Sequence, residues 1–286
     1  LSDDGSPVAD GRLMRHAMEF AAALGVPISE HCDDPELSHG GAMNEGVVSE
    51  RLGLSGQPIA AEVSAIARNI ALAESTGCHL HIAHVTTARG VELVADAKRR
   101  GVQITAEVTP SHLFLTEDAV FGDGPAPIYN TNAKVNPPLR TETDRLALIA
   151  GVNNGTIDAI ATDHAPHPAE EKSLEFERCP FGILGLETAI GLTLEKLVHP
   201  GLISLRHMVE LFTTGAEKTM RLGRGTLRPG APADVTIFDT ARAWTYRVAE
   251  TKSKSRNSPF DGWTFRGGPL ATIVNGAVVW RHADLS

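Results

Sequence analysis

The sequence predicts an α/β fold with a parallel sheet, followed by a small β-sheet domain. Two observations predict the first part: helix-period segments alternate with short apolar runs four times in a row, and these runs end in acids and histidines. A third predicts the second part. From about Gly223 the chain breaks into short β-rich segments punctuated by Gly and Pro, "GRGTLRPGAPADVTIFD" and "GPLATIVNGAVVW".

Taken in order, "GRLMRHAMEFAAALG" (11–25) has helical periodicity and a glycine stop, and "VPISEHC" (26–32) reads as a strand. "AAEVSAIARNIALAESTG" (60–77) is a second helix, before the strand "HLHIAHV" (79–85). "TARGVELVADAKRRG" (87–101) leads into "VQITAEVTP" (102–110), and "TETDRLALIAGVNNG" (141–155) into "IDAIATDHAPH" (157–167). Such units build either a (β/α)8 barrel or an open doubly wound sheet. Both keep their sites beyond the C-terminal ends of the strands.

Composition excludes several classes. A net charge of −9 argues against nucleic acid or an anionic membrane as partner, and no apolar run reaches the ~18 residues of a membrane span. No G-x-G-x-x-G or G-x-x-x-x-G-K-[ST] signature supports nucleotide binding. Cys32, Cys78 and Cys179 are odd in number and lack C-x-x-C spacing, so they read as reduced cytoplasmic thiols.

Zinc takes His nitrogen and carboxylate oxygen, and a catalytic site keeps one position open for water. Asp4 in "LSDDG", His31 in "SEHCDD", His84 in "IAHVTT" and Asp163 in "ATDHAPH" meet that demand. All but Asp4 end predicted strands; the strand before Asp4 would precede residue 1. Side-chain alternation puts His84 on one face with Leu80 and Ile82, and Asp163 with Ile157, Ala159 and Ala161, so both could point into a barrel interior. Each group also has an ordinary reading: a hydrogen-bonded His at a strand end, a helix cap at Asp4, a turn at Asp163. Spacing alone supports a metal site and no more.

The motifs in order go further. "SDDG", "SEHCDD", "GGAMNEG" with "LGLSGQPIAAE", "HIAHVTT", "EVTPSHLFLT", "NTNAKVNPPLR", "ATDHAPH" followed by "PFGILGLET", and "SKSRNSPFDGW" together resemble the dihydroorotases of the type I, bacterial kind, within the metal-dependent amidohydrolase superfamily. The resemblance implies the C-terminal portion of a (β/α)8 barrel over residues 1–222 and a small C-terminal β domain over 223–286. It implies Asp4, His31, His84 and Asp163 as metal ligands, with Asp4 bridging two zinc ions where many relatives use a carboxylated lysine; Asp3 is the rival for that role. It implies Asp163 as the acid–base residue, Asn136 and His167 as substrate-binding residues, and the backbone of Pro180, Phe181 and Gly182 as the lining of the pyrimidine ring. His164 is expected to be structural, on the opposite strand face.

The reaction implied is zinc-dependent, reversible hydrolysis of dihydroorotate to N-carbamoyl-L-aspartate in pyrimidine biosynthesis, by a cytoplasmic homodimer that could associate with aspartate carbamoyltransferase. The alternatives are another cyclic amidohydrolase, a dihydropyrimidinase or allantoinase, and a non-catalytic subunit that scaffolds the carbamoyltransferase. The first usually carries a lysine in place of Asp4 and lacks "NPPLR"; the second typically loses metal ligands.

The sequence departs from the family in two ways. The first barrel strand of the family carries an H-x-H pair for one metal and a substrate-binding Arg, and neither is here. The one H-x-H, His79-Leu80-His81, lies inside the strand leading to His84 and is expected to be a buried, hydrogen-bonded pair. Ser111 stands in "TPSHL" where relatives commonly show a histidine. No signal peptide is visible and Leu1 does not look like a natural start, so the natural protein is expected to be longer, with this segment pairing with an N-terminal part and expected to lack activity when isolated.

Overall fold

The computed structural model describes residues 1–283; the last three residues of the expected 223–286 domain lie outside the described residues. The helix Gly11–Leu24 begins where the Asp10 side chain accepts from the N–H groups of Arg12 and Leu13, and ends at Gly25, whose left-handed φ of 68° suits glycine. Met14, Met18 and Ala21 face inward, whereas Leu13, Phe20 and Leu24 remain exposed. Strand β1 (Ile28–Glu30) follows. Two short strands, β2 (Met43–Asn44) and β3 (Gly56–Gln57), then pair in parallel before the helix Ile59–Thr76.

The next units repeat the rhythm: β4 (Leu80–Ile82) and helix Ala88–Arg99, β5 (Ile104–Val108), then helix Glu142–Asn153 and β6 (Ala159–Ile160). The strands form one parallel sheet in the order β1-β4-β5-β6. Ser2 adds a parallel bridge to Ser29 on the other edge of β1, so the segment carrying Asp4 runs beside that strand. Apolar side chains of the sheet (Leu80, Ile82, Ile104) and helices (Met18, Ile66, Val94, Leu148) make the main core.

The strands are shorter than the apolar runs predict. Pairing stops at Ile82 and Ile160, and His84 and Asp163 lie beyond it with left-handed φ of 31° and 45°. The direction of these side chains is therefore set by the turn, and the alternation argument for them does not hold. Left-handed backbone at a non-glycine residue costs of order 1–3 kcal/mol, which surrounding structure must hold in place.

Strands β7 (Val235–Thr245), β8 (Thr264–Val274) and β9 (Ala277–Arg281) form an antiparallel sheet. Asn275 and Gly276 turn the last hairpin with φ of 49° and 80°, the pair of positive values that an Asn-Gly turn requires. This C-terminal segment also shares a core with the rest: Tyr246, Phe260 and Phe265 pack in one cluster with Met43, Val48, Val135 and Leu192. The three thiols are buried and unpaired, and among the described residues no helix is long and apolar enough to cross a membrane.

Candidate metal centre

Because the sheet is parallel, the segments that leave β1 and β4 emerge on one side, beside the segment that follows Ser2. There His31 Nδ1 lies 3.0 Å from His84 Nε2, and Asp4 Oδ1 lies 3.9 Å and 3.7 Å from those nitrogens. The imidazoles meet edge to face at 75°. Tetrahedral zinc with ~2.0–2.1 Å bonds holds its ligand atoms roughly 3.3 Å apart, so this N, N, O set needs little rearrangement to hold such an ion.

The two rings differ in their electrostatics. Burial, then the neighbouring His84, push the His31 pKa down to about 4, which keeps a lone pair available. For His84 burial acts downward too, but the Asp4 carboxylate and the charges of Asp163 and Glu107 more than offset it and hold the ring above its usual range. The His84 ring, 3.7 Å away, holds the Asp4 carboxyl below its usual range against burial. Among the described residues, His84 Nδ1 is buried without a hydrogen-bond partner.

Asp3 lies outside the close trio. Its carboxylate accepts the backbone N–H of His31 at 3.1 Å and of Val8 at 3.0 Å, which fixes the segment from which Asp4 projects. Asp163 is not part of the close trio. Burial, with Asp4 and Glu107 nearby, raises its carboxyl despite the opposing His84. Asn136 Nδ2 lies 3.2 Å from His31 Nε2, so this amide orients the ring whose other nitrogen faces Asp4 and His84.

The remaining expected residues gather on one strap. His167 N–H donates to Asn257 Oδ1 at 3.2 Å, and Asn257 Nδ2 donates to the carbonyls of Ala165 (2.9 Å) and Gly182 (3.0 Å). Gly182 has φ 128°, and a Cβ there would sit 2.5 Å from Ala165 Cβ and 3.0 Å from His167 Nε2. Pro180 and Gly182 offer their carbonyls to the Lys172 ammonium at 2.9 and 3.2 Å. The Lys134 ammonium takes the carbonyls of Phe176, Glu177 and Cys179 at 2.6–3.1 Å and lies 4.5 Å from the centre of the Phe181 ring. His164 bridges to Ile183 and accepts the Gly185 N–H at 3.2 Å.

Several supporting residues carried no assignment in the sequence although their motifs were legible. Asn257 comes from "SKSRNSPF", Lys134 from "NTNAKVNPPLR", and Lys172 stands alone. Glu62 accepts from the N–H and hydroxyl groups of both Thr86 and Thr87, just after His84. Arg140 donates to Thr86 Oγ1, Asn44 Oδ1 and the Gln57 carbonyl, and Asn44 Nδ2 to Glu117. This buried network joins "GGAMNEG", "GQPIAAE", "HVTT" and "NPPLR", and it anchors the left-handed turn at His84. His79 Nε2 and His81 Nδ1 both meet Thr105 Oγ1, at 3.1 and 2.9 Å, a buried pair with no place in the trio.

A parallel α/β sheet with acid and histidine side chains meeting beyond its strand ends is an arrangement that can hold a metal ion. The chain belongs to the amidohydrolase family, whose profile matches residues 2–279. Among curated proteins it is 53% identical to a dihydroorotase of Solibacter usitatus over 282 residues, covering 99% of this chain and 64% of that protein. It is 49% identical to a dihydroorotase of Pelotomaculum thermopropionicum over 281 residues, covering 98% of this chain and again 64% of the relative. Among solved structures, an L-hydantoinase (dihydropyrimidinase) from Arthrobacter aurescens matches with a TM-score of 0.85 at 28% identity, over 98% of this chain and 63% of that one. A dihydropyrimidinase from Brevibacillus agri matches with a TM-score of 0.84 at 24% identity, over 96% of this chain and 61% of that one, a likeness of fold. The chain thus spans somewhat less than two thirds of the length of these relatives.

Proposed function

We propose that the protein of which this chain forms part is a dihydroorotase, hydrolysing dihydroorotate reversibly to N-carbamoyl-L-aspartate in pyrimidine biosynthesis. The observation that carries this reading is the meeting of Asp4, His31 and His84 beyond neighbouring strand ends, in a chain 53% identical to a dihydroorotase.

Asp4, His31 and His84, with Asp163 beside them, would hold zinc, with two ions per active site expected in the complete protein. Zinc would lower the pKa of the attacking water and polarise the ring carbonyl. Asp163 takes the proton from water on its carboxylate and returns it to the departing ring nitrogen; a buried carboxyl held above its usual range suits both transfers. His167 and Asn136 bind the substrate carboxylate, and the Pro180–Gly182 backbone lines the ring. The division into a barrel over 1–222 and a β domain from 223 belongs to this reading, as do a cytoplasmic homodimer and association with aspartate carbamoyltransferase. The similarity to dihydropyrimidinase structures supports a second reading, hydrolysis of another cyclic amide.

The experiment is zinc analysis and a substrate panel on a chain of the relatives' full length. Two zinc ions and preference for dihydroorotate are expected. Preference for dihydrouracil or a hydantoin would establish the second reading in its place.

A further inference from the structure

A second polar cluster lies at the opposite end of β4 from the candidate metal centre. His79, immediately before β4, lines an open cleft of about 370 Å³ with Lys98, Gln103, Thr105, Lys218 and Arg221. Three cations converge there in a chain whose net charge is −9. Among the described residues one carboxylate pairs with them: Asp158 meets Lys98 Nζ and Lys218 Nζ, each at 2.6 Å, so the cluster keeps two positive charges.

The donors divide unevenly. Lys98 is spent, since besides Asp158 it donates to the carbonyls of Thr156 (2.8 Å) and Gly155 (3.3 Å). Lys218 has Asp158 as its hydrogen-bond partner among the described residues, which leaves two of its protons available. Arg221 gives Nη1 to the Gly25 carbonyl at 2.8 Å and keeps the rest of its fork. It does so from left-handed backbone, φ 54°, a conformation that needs holding at a side chain of this size. His79 is 8% exposed, with Nε2 on Thr105 Oγ1 and Nδ1 buried without a hydrogen-bond partner among the described residues.

We infer that this cleft binds a phosphate-bearing small molecule. A phosphate dianion matches two uncompensated charges, takes a guanidinium fork and an ammonium together, and leaves the remaining volume for an organic group. The cluster lies apart from the residues assigned to hydrolysis, so the inference stands or falls independently of the proposed substrate.

The test is calorimetric titration with inorganic phosphate, ribose 5-phosphate and ribose, using this chain and a chain of the relatives' length. Both phosphates should bind at one saturable site and ribose should not; stronger binding of ribose 5-phosphate would identify an organic phosphate, equal binding the free anion. The Lys218→Ala, Arg221→Ala double variant should weaken binding by about tenfold or more. Unchanged binding would mean an adventitious anion only. Should that variant not fold, the His79 ring 15N signals of the native protein decide: they should move on addition of phosphate, and unmoved signals overturn the inference. So does binding by this chain that vanishes in the longer one, which would give the cleft to another stretch of the protein.

Discussion

His31 Nδ1 and His84 Nε2 stand 3.0 Å apart, close enough to share one proton between two imidazoles. A cation taking that place must displace the proton, because zinc binds neutral nitrogen lone pairs. Zinc binding should therefore release protons near neutral pH, and His31→Ala or His84→Ala should each lower affinity by about 100-fold or more, of the order set by losing one ligand. Competition with a chromogenic chelator measures both; unchanged affinity in either variant would remove that residue from the centre.

Asp163 is assigned the proton transfer. In the full-length protein Asp163→Asn should cut turnover by roughly 10²–10⁴-fold, the usual worth of a positioned general base, and leave the circular dichroism spectrum unchanged. Turnover within about threefold of the native rate would hand the proton to another group.

Lys172 gives a pH signature. Burial holds its ammonium down at about 8, against the usual lysine range near 10.5. Between those values the unfolded chain binds the proton and the folded chain does not, so this lysine makes stability rise with pH from about 8 to 10.5. The neutral amine still has two hydrogens for the carbonyls of Pro180 and Gly182. Lys172→Met should flatten that rise in urea midpoints across this range, and it should loosen the strap; an unaltered slope would show that the titration belongs elsewhere.

At Gly182 the strap tolerates no side chain. Gly182→Ala adds a Cβ 2.5 Å from Ala165 Cβ in backbone that alanine rarely adopts. A loss of about 1–3 kcal/mol is expected from the backbone alone. If Pro180–Gly182 lines the substrate ring, KM should rise while kcat changes less. Stability lost with KM intact would leave the segment a purely structural role.

Arg140 is 4% exposed and donates to three buried oxygens. Arg140→Met strands those acceptors and leaves Glu62 and Glu117 without the nearest buried cation, so a loss of about 3–5 kcal/mol is expected, as when one partner of a buried charge network is removed. Chemical denaturation measures it; a loss below about 1 kcal/mol would show that the network reorganises easily.

The sequence by itself determined the alternation of helix and parallel strand, the glycine stop at Gly25, the β-rich C-terminal segment, and His31 and His84 as candidate ligands at strand ends. Those signals are local: periodicity, turn residues and ligand chemistry lie within a few positions of one another. Tertiary structure alone decided three things. It placed Asp4 beside His31 and His84, and turned the carboxylate of Asp3 to the backbone N–H groups of Val8 and His31, the latter 28 residues away. It overruled strand alternation at His84 and Asp163, because the sheet stops pairing before either is reached and a left-handed turn then aims the side chain. And it gave Lys134, Lys172, Asn257 and the Arg140–Glu62 network their places. A buried charge or amide finds its partners across the fold, through contacts that no pattern along one segment encodes.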